Sequence, residues 1–421
     1  MNENELEARA ASGEIAAPIL PEKPVFRREL AAALLMYPSA FAYVRALDDW
    51  PFWPFLLLFV GLTELLCREK PRSRESWFWL GCMLLCWWGS HGRVWGDEVW
   101  LPLHALAIWW VLHRSGALLE RQSGHLLPLD MLNGAFVFPF RHFLLRLHCL
   151  AGGLGKLLRR QGNSRVPALS AALAAASSLL LFALALRFLQ AADSAFERLV
   201  TAVLGRLKLP EWRLRWFDFA LSLPVGAYLF GLIAGSCREE RSVLDERAER
   251  ARLRLAGLRR VPHRVWLVLA AGFVLLYLLF FAVQARYLFG AFSRRLPEGF
   301  IVSEYARRGF FELCRVMALN FALLWLLTRT ADRPAREEPA LRLVCLLLLV
   351  ESLLFAVVAA SKLGLYIDCF GFTPLRFQSL WLVAVLAFGC LCALGSLLTG
   401  KRSLRLFLGG AALSFVLLGL Y

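Results

Sequence analysis

"LRLVCLLLLVESLLFAVVAAS", residues 341 to 361, is apolar except for Arg342, Glu351, Ser352 and Ser361. A helix needs about 20 mostly apolar residues to cross roughly 30 Å of hydrocarbon, and this stretch supplies them. Similar runs recur at 51–67, 76–92, 99–113, 167–189, 214–236, 264–284, 309–328, 374–398 and 403–421. An eleventh candidate, 30–47, contains Pro38 and is followed by Asp48 and Asp49. The chain of 421 residues is 59% apolar with a mean hydropathy of +0.56, whereas soluble domains stay near about 45 to 50%. Backbone amides inside a bilayer must find partners within the protein, and the alternating pattern of a barrel is absent. The fold class that follows is all-α, a polytopic transmembrane helical bundle of about 10–11 spans.

Charge predicts the orientation. A formal charge of +16 in a soluble protein would point to nucleic acid, but here Lys and Arg alternate between loops as membrane topology demands. With a cytoplasmic N-terminus, inward segments carry 32 of the 48 Lys and Arg and outward ones 14. Trp50, Trp53, Trp87, Trp88, Trp95 and Trp100 gather near the first two outward turns, as an interfacial belt would. The first 28 residues lack the apolar core and cleavage site of a secretory leader, so insertion is expected to rely on the first span. No nucleic-acid partner is expected; the bilayer is the partner, with anionic lipid on the cytoplasmic side.

The expected organisation is a polar cytoplasmic N-terminus (1–28), a first membrane block (29–113), a cytoplasmic or interfacial amphipathic segment (114–166), a second block (167–236), a charged cytoplasmic helix (237–263) and a third block (264–421). Within the amphipathic segment, "PFRHFLLRLHCLAGGLGKLLRR" (139–160) mixes Leu and Phe with Arg141, Arg146, Lys156, Arg159 and Arg160, the composition of a helix lying against anionic lipid. The stretch 237–260 intersperses opposite charges like an exposed helix and is the candidate contact for a cytoplasmic protein. Cys82, Cys86, Cys314, Cys345, Cys390 and Cys392 fall inside predicted spans, and no CxxC pair occurs. They read as small apolar fillers, with no metal or cofactor expected.

The candidate site begins at "EYARRGFFELCR", residues 304 to 315. At about 100° per residue, Glu304, Arg308, Glu312 and Arg315 share one stripe of alternating sign, at spacings where opposite charges meet. Burying such an arginine in lipid costs at least about 2.5 to 3.5 kcal/mol, so the stripe is expected to face the bundle interior. Glu351 is the expected partner of Arg315. Asn320, Asp218, Lys362, Asp368 and Arg376 are further polar groups for a cluster opening outward.

"LPEGFIVSEYARRGFFELCRVMALN" (296–320) and "SKLGLYIDCFGFTPLRFQSLWL" (361–382) resemble bacterial polytopic membrane proteins of domain-of-unknown-function families 4153 and 4173. The matching positions are Tyr305, Arg308, Gly309, Phe310, Phe311, Tyr366, Gly371, Thr373 and Arg376, with Phe370 where the turn's first aromatic is commonly Tyr. The resemblance is specific over roughly the last 130 residues. It implies a bacterial inner-membrane protein and supplies no activity. Both motifs open spans at the outward face, so Arg308 and Arg376 are expected near each other. Gly309 is expected to admit a neighbouring helix, and Thr373 with Pro374 to start one.

Three readings of function remain. A membrane regulator, assembly or signalling component would use 237–260. A secondary transporter would use Pro224 and Gly226 as a helix break and Glu351 as a coupling carboxylate. An enzyme on lipid-linked substrates would need the outward cluster of His91, Asp97 and Glu98, yet the sequence has no HExxH, GxSxG or Walker loop. His104 and His113 read as structural. The regulator is placed narrowly ahead of the transporter, and the enzyme third.

Overall fold

A computed structural model describes residues 27–47, 51–89, 99–159, 212–288, 302–401 and 403–420. Among them, regular structure is helical apart from one isolated bridge between Val261 and Ala331. The helices are α1 (Arg27–Ala46), α2 (Trp53–Leu66), α3 (Arg74–Gly89), α4 (Trp100–Ser115), α5 (Leu127–Leu132), a π turn (Asn133–Val137), α6 (Phe138–Arg141), α7 (Leu145–Arg159), α8 (Trp212–Arg238), α9 (Arg241–Ala256), α10 (His263–Leu288), α11 (Val302–Thr330), α12 (Pro339–Phe370), α13 (Pro374–Thr399) and α14 (Leu404–Gly419). Five contain stretches long and apolar enough to cross a membrane, namely Phe217–Arg238, His263–Val283, Gly309–Thr330, Pro339–Phe370 and Pro374–Thr399. This is an all-α, multi-pass membrane protein. α2 and α14 are shorter apolar helices, the 30–47 candidate is the 20-residue α1 with Pro38 inside it, and the 167–189 candidate lies outside the described residues.

Contacts divide the chain into two compact units. One comprises 1–73, 114–117 and 131–239; the other comprises 74–113, 118–130 and 240–421. The units therefore interleave along the chain.

In the first unit α8 packs on α1 and α6, and α1 also touches α2 and α7. Pro224 lies inside an unbroken α8. A proline removes one rung of the helical ladder, here the one to Ala220 O, and crowds the turn before it; the neighbouring carbonyls of that turn accept side-chain bonds, Phe219 O from Tyr37 Oη (3.1 Å) and Asp218 O from Ser222 Oγ (2.5 Å). Asp218 is also held by Arg45 at 3.0 Å. The stretch expected to lie on lipid is partly a protein-packing element. Phe138, Pro139, Arg146 and Cys149 are buried, while Phe140 and Leu144 remain exposed. Arg146 Nε donates to Ala33 O at 3.0 Å, so this arginine is spent on α1 and not on a lipid phosphate. Gly226 makes room for it, since a Cβ there would lie 2.7 Å from Arg146 Nη1. The π turn before α6 is met by Tyr228 Oη, which donates to Ala135 O at 2.8 Å.

The second unit is organised by α12, which packs on α10, α11 and α13. Its residues sort into two faces. Leu343, Leu347, Val350, Leu354 and Val357 are exposed at alternating spacings of four and three, one continuous lipid-facing stripe. Cys345, Leu348, Ser352, Phe355, Ala359 and Lys362 are buried on the other side. α10 presents a narrow buried stripe, Trp266, Ala270, Val274 and Tyr277, and exposes apolar side chains elsewhere. α11 buries Phe310, Leu313, Met317, Asn320, Leu323 and Leu327.

α9 carries the expected intrahelical pairs, Arg241–Asp245 at 2.5 Å and Glu246–Arg250 at 2.6 Å. Its Arg241 also donates to the carbonyls of Leu118 (2.5 Å) and Leu119 (2.8 Å), and Arg252 and Asp245 bond Glu120 (3.3 Å) and Arg121 (3.0 Å). Part of the surface expected to receive a cytoplasmic protein is therefore occupied by the chain's own 118–121 segment. Beneath it Asp130 is buried and accepts from Leu119 N at 2.9 Å. Burial pushes its carboxyl up to about 7, with Glu120 adding to the rise, while the Leu119 amide and the Arg241 charge oppose it.

Two predictions concern stability in detergent. A Cβ at Gly231 would lie 2.6 Å from the Pro139 carbonyl oxygen, whereas Gly61 faces nothing within 4 Å. Gly231→Ala is expected to cost about 1 to 3 kcal/mol through overpacking, and Gly61→Ala to leave the unfolding midpoint unchanged or raised; equal midpoints for the two variants would refute the close approach. Asp130 keeps its proton up to about pH 7 when folded and releases it near about 3.9 when unfolded. Its contribution to stability is therefore full below the unfolded value and lost as pH rises through the folded one. Melting curves between pH 5 and 7.5 should show Asp130→Asn losing less stability with rising pH than the parent protein.

Candidate functional site

The polar groups that the second unit buries near the middle of its helices come from α10, α11 and α12. Tyr277 Oη donates to Asn320 Oδ1 at 2.8 Å, Asn320 Nδ2 donates to Ser352 Oγ at 2.9 Å, and Ser352 Oγ donates to Leu348 O at 2.8 Å. This chain ties three helices through side chains that apolar neighbours enclose, among them Phe355, whose ring meets Tyr277 edge-on at 5.3 Å. Interhelical bonds of this kind contribute about 0.6 to 2 kcal/mol each in a membrane. Glu351 is next in sequence to Ser352. It is 4% exposed, lies within electrostatic reach of Tyr277, and neither carboxylate oxygen has a hydrogen-bond partner among the described residues.

The expected pairing of Arg315 with Glu351 does not form. Arg315 is exposed, and no ion pair or hydrogen bond joins it to Glu351 among the described residues. The reason lies in the phase of α11. Phe310, Leu313, Met317 and Asn320 define its buried face, and Arg315 points about 180° away from the mean of that face at 100° per residue. Glu312 is also exposed. The side chains of Glu304, Tyr305 and Arg308 lie outside the described residues, so the expected approach of Arg308 to Arg376 does too.

Other residues of the expected cluster separate into local roles. Lys362 is 2% exposed and feels the charge of Glu312. Gly309 provides the space for it, because a Cβ there would lie 2.6 Å from Lys362 Nζ. What lies against Gly309 is the cationic head of a side chain from α12. Phe310 is buried beside it and Phe311 exposed. Asp368 is exposed, and Asp218 belongs to the first unit, held by Arg45.

Arg376 closes the turn between α12 and α13. It donates to Phe370 O at 2.7 Å and to Gly371 O, and its guanidinium stacks on Tyr366 with Cζ 4.3 Å from the ring centroid. Those carbonyls end α12, where a cation is favoured by the helix dipole. Gly371 has φ 79° and ψ 177°, a region essentially restricted to glycine. Thr373 occupies the N-cap of α13 with Pro374 following, but its side chain makes no capping bond. Tyr366, Gly371, Thr373 and Arg376 therefore form one turn-closing motif.

His113 is buried between Trp79 and Trp109, with ring centroids 6.0 and 5.0 Å away, and lies 3.6 Å from Glu75. His104 Nδ1 lies 2.6 Å from Trp100 O. Both have structural contacts. His91, Asp97 and Glu98 lie outside the described residues. The residues that sequence reasoning missed are Tyr277 and Ser352. A tyrosine, an asparagine and a serine on three consecutive predicted spans were the available signal, but charge drew the attention first.

A family model described as a domain of unknown function (DUF4153) matches residues 30–421. The likeness thus covers nearly the whole chain and not only the last 130 residues that carry the quoted motifs. No curated protein matches, and no solved structure matches.

Because Arg315 and Glu351 do not meet, Arg315→Leu and Glu351→Leu are expected to change stability independently. Thermal unfolding in detergent should give a double variant within about 0.5 kcal/mol of the summed single effects. A recovery larger than that would restore the ion pair.

Proposed function

We propose that this protein, which belongs to the DUF4153 family, is an ion-coupled secondary transporter whose coupling group is Glu351. The observation that carries this reading is the carboxylate itself, buried among membrane helices with both oxygens unbonded among the described residues. A carboxylate placed there without donors is costly in its charged form, so a proton or a small cation is the natural companion. The Tyr277–Asn320–Ser352 chain beside it holds three helices in register and offers polar atoms to an ion in transit.

The location we propose is a bacterial inner membrane, with the N-terminus and the arginine-rich segments on the cytoplasmic side facing anionic lipid. Arginine asymmetry supports that orientation. The reading as a regulator or assembly factor keeps one supporting observation: the Glu246–Arg250 pair of α9 leaves both side chains mostly exposed, a surface that a cytoplasmic protein can meet.

Proteoliposomes with a pH-reporting dye test the first reading. Proton-dependent solute flux is expected, and Glu351→Gln should reduce it at least tenfold while leaving the protein folded. Flux at the parent rate in Glu351→Gln would reject the coupling role. Specific co-purification of a cytoplasmic protein that requires 237–260, without any flux, would favour the regulator.

A further inference from the structure

The inner ends of α2 and α8 hold two cysteines that the function above does not use. Cys67 is the C-cap of α2 and its N–H donates to Thr63 O at 2.9 Å. Cys237 lies in the last turn of α8. Their Cα atoms are 6.1 Å apart across 170 residues of sequence, and the two sulfurs are joined. The Cα separation falls within the range of native disulfides, about 4.4 to 6.8 Å.

We propose that Cys67 and Cys237 form a reversible thiol–disulfide switch that fastens α2 to α8 at the cytoplasmic end of the first unit. The side of the membrane rests on the orientation proposed above. Thiols in that compartment are held reduced, and disulfides there are typically transient, so the pair works as a sensor and not as a permanent staple.

The surroundings suit the chemistry. Arg238 follows Cys237 and grips Glu29 through two bonds of 3.0 and 2.8 Å, Arg28 meets Glu69 at 2.6 Å, and Arg141 meets Glu239 at 3.2 Å. Arg68 follows Cys67 and Arg238 follows Cys237 in sequence, and a cation beside a cysteine favours the reactive thiolate. Cys237 is partly exposed and Cys67 is buried, which makes Cys237 the sulfur an external reagent meets first. Cys149 is the competing thiol of this unit. It is buried, and burial pushes it up to about 11, with the Arg238 charge opposing and Glu29 adding, so it stays protonated and does not intercept the exchange.

The oxidant is a small external disulfide of the glutathione class. The Cys237 thiolate attacks one of its sulfurs, forming a mixed disulfide and expelling one small thiolate. The Cys67 thiolate then attacks the Cys237 sulfur and expels the second. Two protein thiols become one disulfide, the electron pair reduces the external disulfide to two thiolates, and these take up the two protons that the cysteines lost. Excess reduced thiol reverses both steps.

The test uses the full-length protein in cells quenched in acid. Free thiols are blocked, disulfides are reduced, newly exposed thiols are tagged, and the peptides containing residues 67 and 237 are quantified by mass spectrometry. Both peptides should be mostly reduced in untreated cells, rise together at least about tenfold in tagging after a pulse of disulfide oxidant, and return on recovery. Cys237→Ser should abolish the oxidant-induced tagging of Cys67. Purified oxidised protein should melt higher than the reduced form, a difference that Cys67→Ser removes. Cysteines that stay reduced under oxidant overturn the proposal, as does a bond already complete in untreated cells. In the second case, a membrane-impermeant maleimide applied after reduction to vesicles of each orientation separates the causes: labelling from the outer side means that the assumed orientation failed, and labelling from the inner side means that the switch itself failed.

Discussion

Hydrocarbon cannot solvate a polar group, and α12 has to satisfy that condition while crossing with a glutamate, a serine and a lysine on its path. It does so by phase. Every third or fourth residue from Leu343 to Val357 is a large aliphatic side chain facing out, and the polar residues occupy the complementary face, where α10, α11 and α13 cover them. A shift of one residue would turn Ser352 toward the lipid stripe and separate it from Asn320. The Tyr277–Asn320–Ser352 bonds and the aliphatic stripe therefore enforce the same rotation of α12.

In each unit a long buried cation lies against a glycine on another helix. In the first, Arg146 from α7 reaches α1 past Gly226 of α8. In the second, Lys362 of α12 ends against Gly309 of α11. A lysine or arginine head needs a niche about the size of a missing side chain, and glycine supplies that niche without disturbing the helix backbone of its own segment. The two glycines had read as a helix break and a helix-packing site. Their common property is space for a charge.

The fold was largely legible because membrane crossing is a composition problem: runs near 20 apolar residues bounded by arginines locate α8 and α10 to α13 almost by length alone. The rotation of those helices was harder to read. In α11 the charged residues at 312 and 315 and the residues Phe310, Leu313 and Met317 form two competing stripes, and a rule that hides charge selects the first. The structure buries the second, because contact with α12 is made by bulky apolar side chains, while a charge near the start of the crossing stretch Gly309–Thr330 can extend along its own stem toward the headgroups. The Cys67–Cys237 pair was invisible for another reason. A separation of 170 residues carries no local pattern, and only the folded arrangement of α2 and α8 brings the sulfurs together.

Glu351 differs from the other buried ionisable groups in a way that bears on mechanism. Arg146 and Asp218 each have a fixed partner in a neighbouring helix, and Lys362 feels the charge of Glu312. Such groups are stabilised by one geometry and resist change. The Glu351 oxygens have no hydrogen-bond donor among the described residues, so no fixed partner holds this carboxylate in one geometry. An arriving proton removes the charge, and its departure restores a demand for donors that the present packing of α10, α11 and α12 does not meet. On the proposed transport reading, a rearrangement of those three helices or a cation taking the proton's place would answer that demand and would link ion occupancy to helix position.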